Sequence, residues 1–95
     1  MAERYYTSMS RHVLRYYCKN PNGPARDVES WNACHAVLNR LSDSEREIVL
    51  DIHGNGETVM SAIQRLSRER RCDAKRLWDL MNFVDRSIAK EMRWT

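Results

Sequence analysis

Helix-breaking residues are scarce in this chain and fall in two places. The three glycines and two prolines gather at Asn20-Pro21-Asn22-Gly23-Pro24 and at Gly54-Asn55-Gly56, so long stretches run without punctuation. An all-β chain needs a turn roughly every ten residues, which excludes that class. No apolar run approaches the roughly 18 residues of a membrane helix. The opening MAERYYTSMSRHVL lacks the basic and greasy regions of a secretory signal. Ninety-five residues make room for a single helical domain, 1–95, and not for a multi-domain enzyme. With 42% hydrophobic and 31% charged residues, the chain is too apolar for a disordered tail.

Between the breaks, apolar residues recur with the helical period, and the fold class implied is all-α, a compact bundle of about five helices. The first helix is expected over 2–19, with Tyr6, Met9, Val13, Tyr16 and Tyr17 on one side and Arg4, Arg11 and Arg15 opposite. This places Cys18 on the polar side. The second, over 27–41, lines up Trp31, Cys34, Leu38 and Leu41, with Ala33 and Ala36 on the other face. Ser42 and Glu45 read as a capping box opening a third helix, 43–53, through Ile48, Val49 and Ile52. The glycines at 54 and 56 end it. A fourth, 57–68, presents Val59, Ala62, Ile63 and Leu66. The fifth, 73–92, buries Leu77, Leu80, Met81, Val84, Ile88 and Met92 and turns out Lys75, Asp79, Asn82, Arg86, Lys90 and Arg93.

Cys18, Cys34 and Cys72 form no CxxC pair, and an odd count cannot close a disulfide framework. Reduced thiols and a cytoplasmic localisation are therefore expected. His12, His35 and His53 are equally scattered, and adjacent Cys34-His35 point two ways on a helix. No zinc site and no cofactor is expected.

The net charge of +3 is unevenly distributed. Residues 1–41 carry net +3, residues 42–64 net −4 and residues 65–95 net +4. The densest stretch, QRLSRERRCDAKR, sets Arg65, Arg68, Arg70, Arg71, Lys75 and Arg76 against Glu69 and Asp73. Such asymmetry is the electrostatic footprint of a polyanion binder. A short helix, a tight break, a second short helix, a basic connection and a long helix is also the order of parts in a helix-turn-helix domain. There, Arg86 is suited to guanine and Asn82 to adenine, and Lys75, Arg76 and Lys90 to phosphates. Asp79 fits only beside cytosine. Double-stranded DNA is the expected partner, bound by Arg65, Arg68, Arg70, Arg71, Lys75, Arg76, Asp79, Asn82, Arg86 and Lys90.

The stretch LNRLSDSEREIVLDI, 38–52, resembles the start of sigma-70 region 4 and its small relatives in bacterial mobile elements and prophages. There a leucine, a few polar residues and a Glu-Arg pair precede an apolar helix. By this resemblance SAIQRLSRERR is the scaffold helix with its turn, and AKRLWDLMNFVDRSIAKEM the recognition helix and its extension. The likeness spans about 38–92. It implies a DNA-binding transcriptional regulator or accessory protein, with contacts at Arg71, Lys75, Arg76, Asp79, Asn82 and Arg86, and it leaves RNA polymerase open as a second partner. The family usually has an Ala and a Gly flanking a tight turn, whereas here an arginine-rich link succeeds Leu66-Ser67. No preceding segment resembles a promoter-melting region, so a stand-alone regulator is implied.

Two alternatives belong to other classes. Tyr5, Tyr6, Tyr16 and Tyr17 are many aromatics for one helix, and a protein-interaction module or homodimer built on helices 1 and 2 would use them. Arg46 and His53 bracket six residues in REIVLDIH, which resembles the Arg-x4–6-His pattern of HEPN ribonucleases. At 100° per residue the two lie about 20° apart on one helix face. The blander reading of His53 is a cation complementing the dipole at a helix C-terminus. No paired carboxylates, Gly-rich loop or metal cluster supports catalysis, and the chain is read as a non-enzyme.

Overall fold

The computed structural model describes the backbone of residues 2–94 and the side chains from Tyr6 to Trp94. Arg4, expected on the polar face of the first helix, and Tyr5, named among the interface aromatics, lie outside the described side chains. Five helices succeed one another: α1 (Ala2–Lys19), α2 (Val28–Asn39), α3 (Asp43–Gly54), α4 (Val59–Glu69) and α5 (Ala74–Glu91). There is no strand among the described residues.

Local chemistry sets most of the boundaries. Asp27 stands outside α2 as its N-cap, accepting from the Ser30 N–H at 3.0 Å and the Ser30 hydroxyl at 2.6 Å. Those two bonds hold its carboxyl below the usual range. The other end of α2 tightens into i→i+3 bonds from Arg40 and Leu41, so the expected 27–41 shortens by three residues. Ser42 and Glu45 do form the reciprocal capping box. Thr58 caps α4, which moves its start from the expected 57 to Val59. Asp73 caps α5. Each such cap is worth about 1 kcal/mol.

The ends of α4 and α5 share one device. The Cys72 N–H reaches back to the Ser67 carbonyl at 3.2 Å, and the Trp94 N–H to the Ala89 carbonyl at 2.8 Å. This six-to-one closure needs a left-handed residue, usually glycine. Here the positions are held by Arg71, φ 51°, and Arg93, φ 59°. A side chain there costs about 1 kcal/mol relative to glycine, so Arg71→Gly is expected to stabilise the fold by about that much in urea unfolding.

The core forms where α1 packs against α2, α3 and α5, while α4 closes the remaining side against α3 and α5. Leu14, Leu38, Ile52, Ile63, Leu66, Met81 and Ile88 are fully buried in it. Burial of each is worth about 2 kcal/mol. With three helical neighbours, α1 buries a wider arc than one stripe predicts. Ser10 and Leu14 are completely enclosed. Arg11, expected to point outward, leans in toward α5, and Cys18, expected on the polar side, lies half-buried against Leu50 and Gly54 of α3.

Two tyrosines near the end of α1 tie it to α2 and the loop between them. The Tyr16 hydroxyl accepts from the N–H groups of Ala25, Arg26 and Asp27 at 2.9–3.1 Å, anchoring the loop that enters α2. Tyr17 meets His35 through a 2.9 Å hydrogen bond and packs on Trp31, which stacks on His35. The Trp31 indole N–H donates to the Asn20 carbonyl at 2.7 Å. Both sides of α2, including buried Ala33, are thereby covered by α1 and α5 of the same chain.

Candidate nucleic-acid interface

Because α5 buries Leu77, Met81, Val84, Asp85, Ile88 and Ala89, its other face is fixed as outer surface. Lys75, Arg76, Asp79, Asn82, Phe83, Arg86 and Lys90 are all exposed there. On a 100° wheel they occupy an arc of about 120°, and from Lys75 to Lys90 the strip runs about 22 Å. Four of the seven are cations that form no ion pair among the described residues, and Asp79 is the one anion. Phe83 stands 54% exposed in this polar arc. Its wheel position is readable from the sequence, although the more regular apolar stripe on the opposite side is the stronger signal.

At the N-terminal end of the strip lie Arg68, Arg70 and Arg71, also exposed. Arg70 approaches the Glu47 carboxylate only at 3.9 Å. The connection from α4 to α5 is Arg70–Asp73, and the left-handed turn at Arg71 keeps it short. These exposed side chains stand in the residues that lead directly into the first turn of α5.

Arg65 does not join them. Its guanidinium is held by Asp51 of α3 at 2.7 Å, by Glu57 at 2.7 Å and by Glu69 at 3.2 Å. Glu57 and Asp51 hold the guanidinium proton even more firmly than usual. Arg65 thus pins α3 and the turn after it to α4, and part of the acidic 42–64 segment is answered inside the molecule. Arg65→Ala is expected to lower the melting temperature more than Arg68→Ala. Added salt should return part of that loss by screening the three carboxylates left facing one another.

The residues of the ribonuclease pattern are not brought together. Arg46 bonds to Asp43 at 2.8 Å and Asn39 at 3.4 Å, beside a shallow groove shared with Tyr17 and His35. His53 is 6% exposed and lines a different cleft with Arg15 and Lys19. Burial, with Arg11 and Arg15 nearby, pushes its pKa down to about 4. It is neutral at pH 7, which corrects the reading of a cation at a helix end.

The buried group most at odds with its surroundings is Asp85, 1% exposed on α5. Its Oδ1 accepts from the Ser10 hydroxyl at 2.7 Å, while Oδ2 faces Arg11 Nε at 3.8 Å without a hydrogen bond. Burial raises its pKa to about 6, against the opposing effects of Ser10 and Arg11. The thiols are free among the described residues. Burial pushes Cys34 up to about 12 and raises Cys18 as well, so neither is an activated nucleophile. No three His, Cys, Asp or Glu side chains among the described residues are grouped to hold a metal ion, and no described helix is long and apolar enough to cross a membrane.

These features define a small all-α bundle with a cationic strip along its last helix. No protein-family model, curated protein or solved structure matches the chain.

Proposed function

We infer that this chain binds double-stranded DNA, with α5 as the reading helix and the turn before it as a phosphate clamp, and acts as a transcriptional regulator or accessory protein. The observation that carries this is the exposed strip of Lys75, Arg76, Arg86 and Lys90 along α5, with Arg68, Arg70 and Arg71 exposed in the residues just before it. Further support comes from the spacing of α4 and α5. Their four-residue connection falls within the roughly three to four residues of helix-turn-helix links. Asn82 and Arg86 are the side chains suited to base edges, and Phe83 to a thymine methyl. RNA polymerase as a second partner rests on the sigma-like resemblance alone.

Among the aromatics behind the homodimer reading, Tyr16 and Tyr17 have partners within one chain, as does Trp31. Gel-shift titration against random-sequence duplex DNA over a salt series tests the proposal. Six phosphate contacts imply a log–log slope of about −5. Binding that is absent at low salt, or insensitive to salt, overturns it.

A further inference from the structure

Two depressions, of about 550 and 500 Å³, share His12, Val13, Asp27 and Ser30 and so form one continuous groove between α1 and the start of α2. From Met9 to Lys19 it follows α1 for about 15 Å, close to three helical turns. The end at Met9 is apolar, with Met92 and Trp94 supplied by the segment after α5. The end at Lys19 is cationic, with Arg15 and Arg26 beside it.

Three features set this groove apart from ordinary surface. Met9, Met92 and Trp94 stay partly exposed, although methionine and tryptophan are side chains that protein interfaces favour. Trp94 is fixed there by the left-handed turn at Arg93, across which the Trp94 N–H closes on the Ala89 carbonyl at 2.8 Å. Arg15, Lys19 and Arg26 are exposed and form no ion pair among the described residues. Among those residues Asp27 is the one anion in the lining, and Ser30 already engages both its oxygens.

Charge and backbone together define the occupant. An apolar end that leads into an unanswered cationic end calls for apolar anchors followed by carboxylates. The walls leave no open edge for an extended chain to pair with. Most of the lining is helical, and the N–H groups of Arg26, Asp27 and the turn at 92–94 are engaged within the chain. An incoming segment must therefore satisfy its own backbone, as a helix does.

We propose that this groove docks an acidic amphipathic helix of a partner protein, with its apolar side chains against Met9, Val13 and Trp94 and its carboxylates facing Arg15, Lys19 and Arg26. The site is independent of the DNA-binding reading, since it uses none of the cations on α5 or in the turn before it.

The test is an NMR titration of the full chain with a capped helical peptide of about four turns. The peptide carries two leucines one turn apart near one end and four glutamates along the same face toward the other. The expected result is a saturable shift of the Trp94 indole and Val13 methyl signals. Peptides with serine for leucine, or glutamine for glutamate, should each bind about tenfold more weakly or worse. Met9→Ser, and Arg15→Glu combined with Arg26→Glu, should weaken binding by a similar factor, with circular dichroism and the urea midpoint checking the fold. The double reversal should also gain affinity for a peptide with lysines in place of the glutamates. The proposal falls if the peptide leaves the Trp94 and Val13 signals unmoved at millimolar concentration. It falls equally if the leucine-free peptide or a short DNA duplex binds there as well as the parent peptide, which would make the groove a non-specific cationic patch. Movement of the same signals with protein concentration alone would seat a second copy of the chain there and overturn it too.

Discussion

Replacing Asp85 by Asn is expected to make the protein more acid-sensitive than the parent between about pH 6.5 and 4. The reason is a pair of buried groups with opposite linkage. Asp85 titrates near 6 in the folded chain and near 3.9 when unfolded. Between those values the folded state holds the extra proton, so this group's contribution to stability falls as pH rises. His53 titrates near 4 when folded and near 6.5 when unfolded. There the unfolded state holds the extra proton, and stability rises with pH. Each displacement is worth on the order of 3 kcal/mol, and the two slopes largely cancel between about pH 4 and 6.

Asp85→Asn removes one slope and leaves the other. It should lose about 3 kcal/mol between pH 6.5 and 4, relative to its own stability at pH 7. His53→Gln should show the mirror image and gain stability on acidification. Chemical unfolding at a series of pH values in a phosphate-free buffer reads both. A wild-type profile that already falls steeply in acid, with Asp85→Asn parallel to it, would remove Asp85 from the account. Arg11 faces both groups and lowers both pKa values, so Arg11→Met should move the two titrations upward together.

The second large effect concerns the strip on α5. Reversing Arg70, Arg71 and Arg76 to glutamate together should reduce DNA affinity by two orders of magnitude or more at moderate salt. It should also flatten the salt slope by about three. The three are exposed, and Arg70 has only the distant Glu47, so unfolding is not the expected cause. Circular dichroism and the urea midpoint check that. Arg71 supplies an internal contrast, since Arg71→Gly should weaken DNA binding while stabilising the fold. Unchanged affinity in the triple variant would sink the phosphate-clamp role.

Much of the architecture was legible because its signals are local. Ser42 with Glu45, the breaks at 20–24 and 54–56, and the apolar stripe of α5 each act within a few residues of where they are read. The polar arc of α5 was legible for the same reason, since a helix that buries Leu77, Met81, Val84 and Ile88 must turn its other side outward. What escaped depends on distant partners. Arg65 looked like one more cation in a basic run, and only the fold brings Asp51 and Glu57 to it. The arc buried on α1 was misjudged because a periodicity reports one neighbour and α1 has three. Asp85 did carry a faint signal, since it falls between Met92 and Trp78 at the edge of the buried side of the wheel. No spacing rule, however, foretells that Ser10 will meet it.

That meeting joins positions 75 apart in the chain. Of the three helices that cover α1, α5 is the last to be synthesised. Until it is made, the side of α1 that receives it stays open, and a chain cut before residue 85 lacks the partner of Ser10.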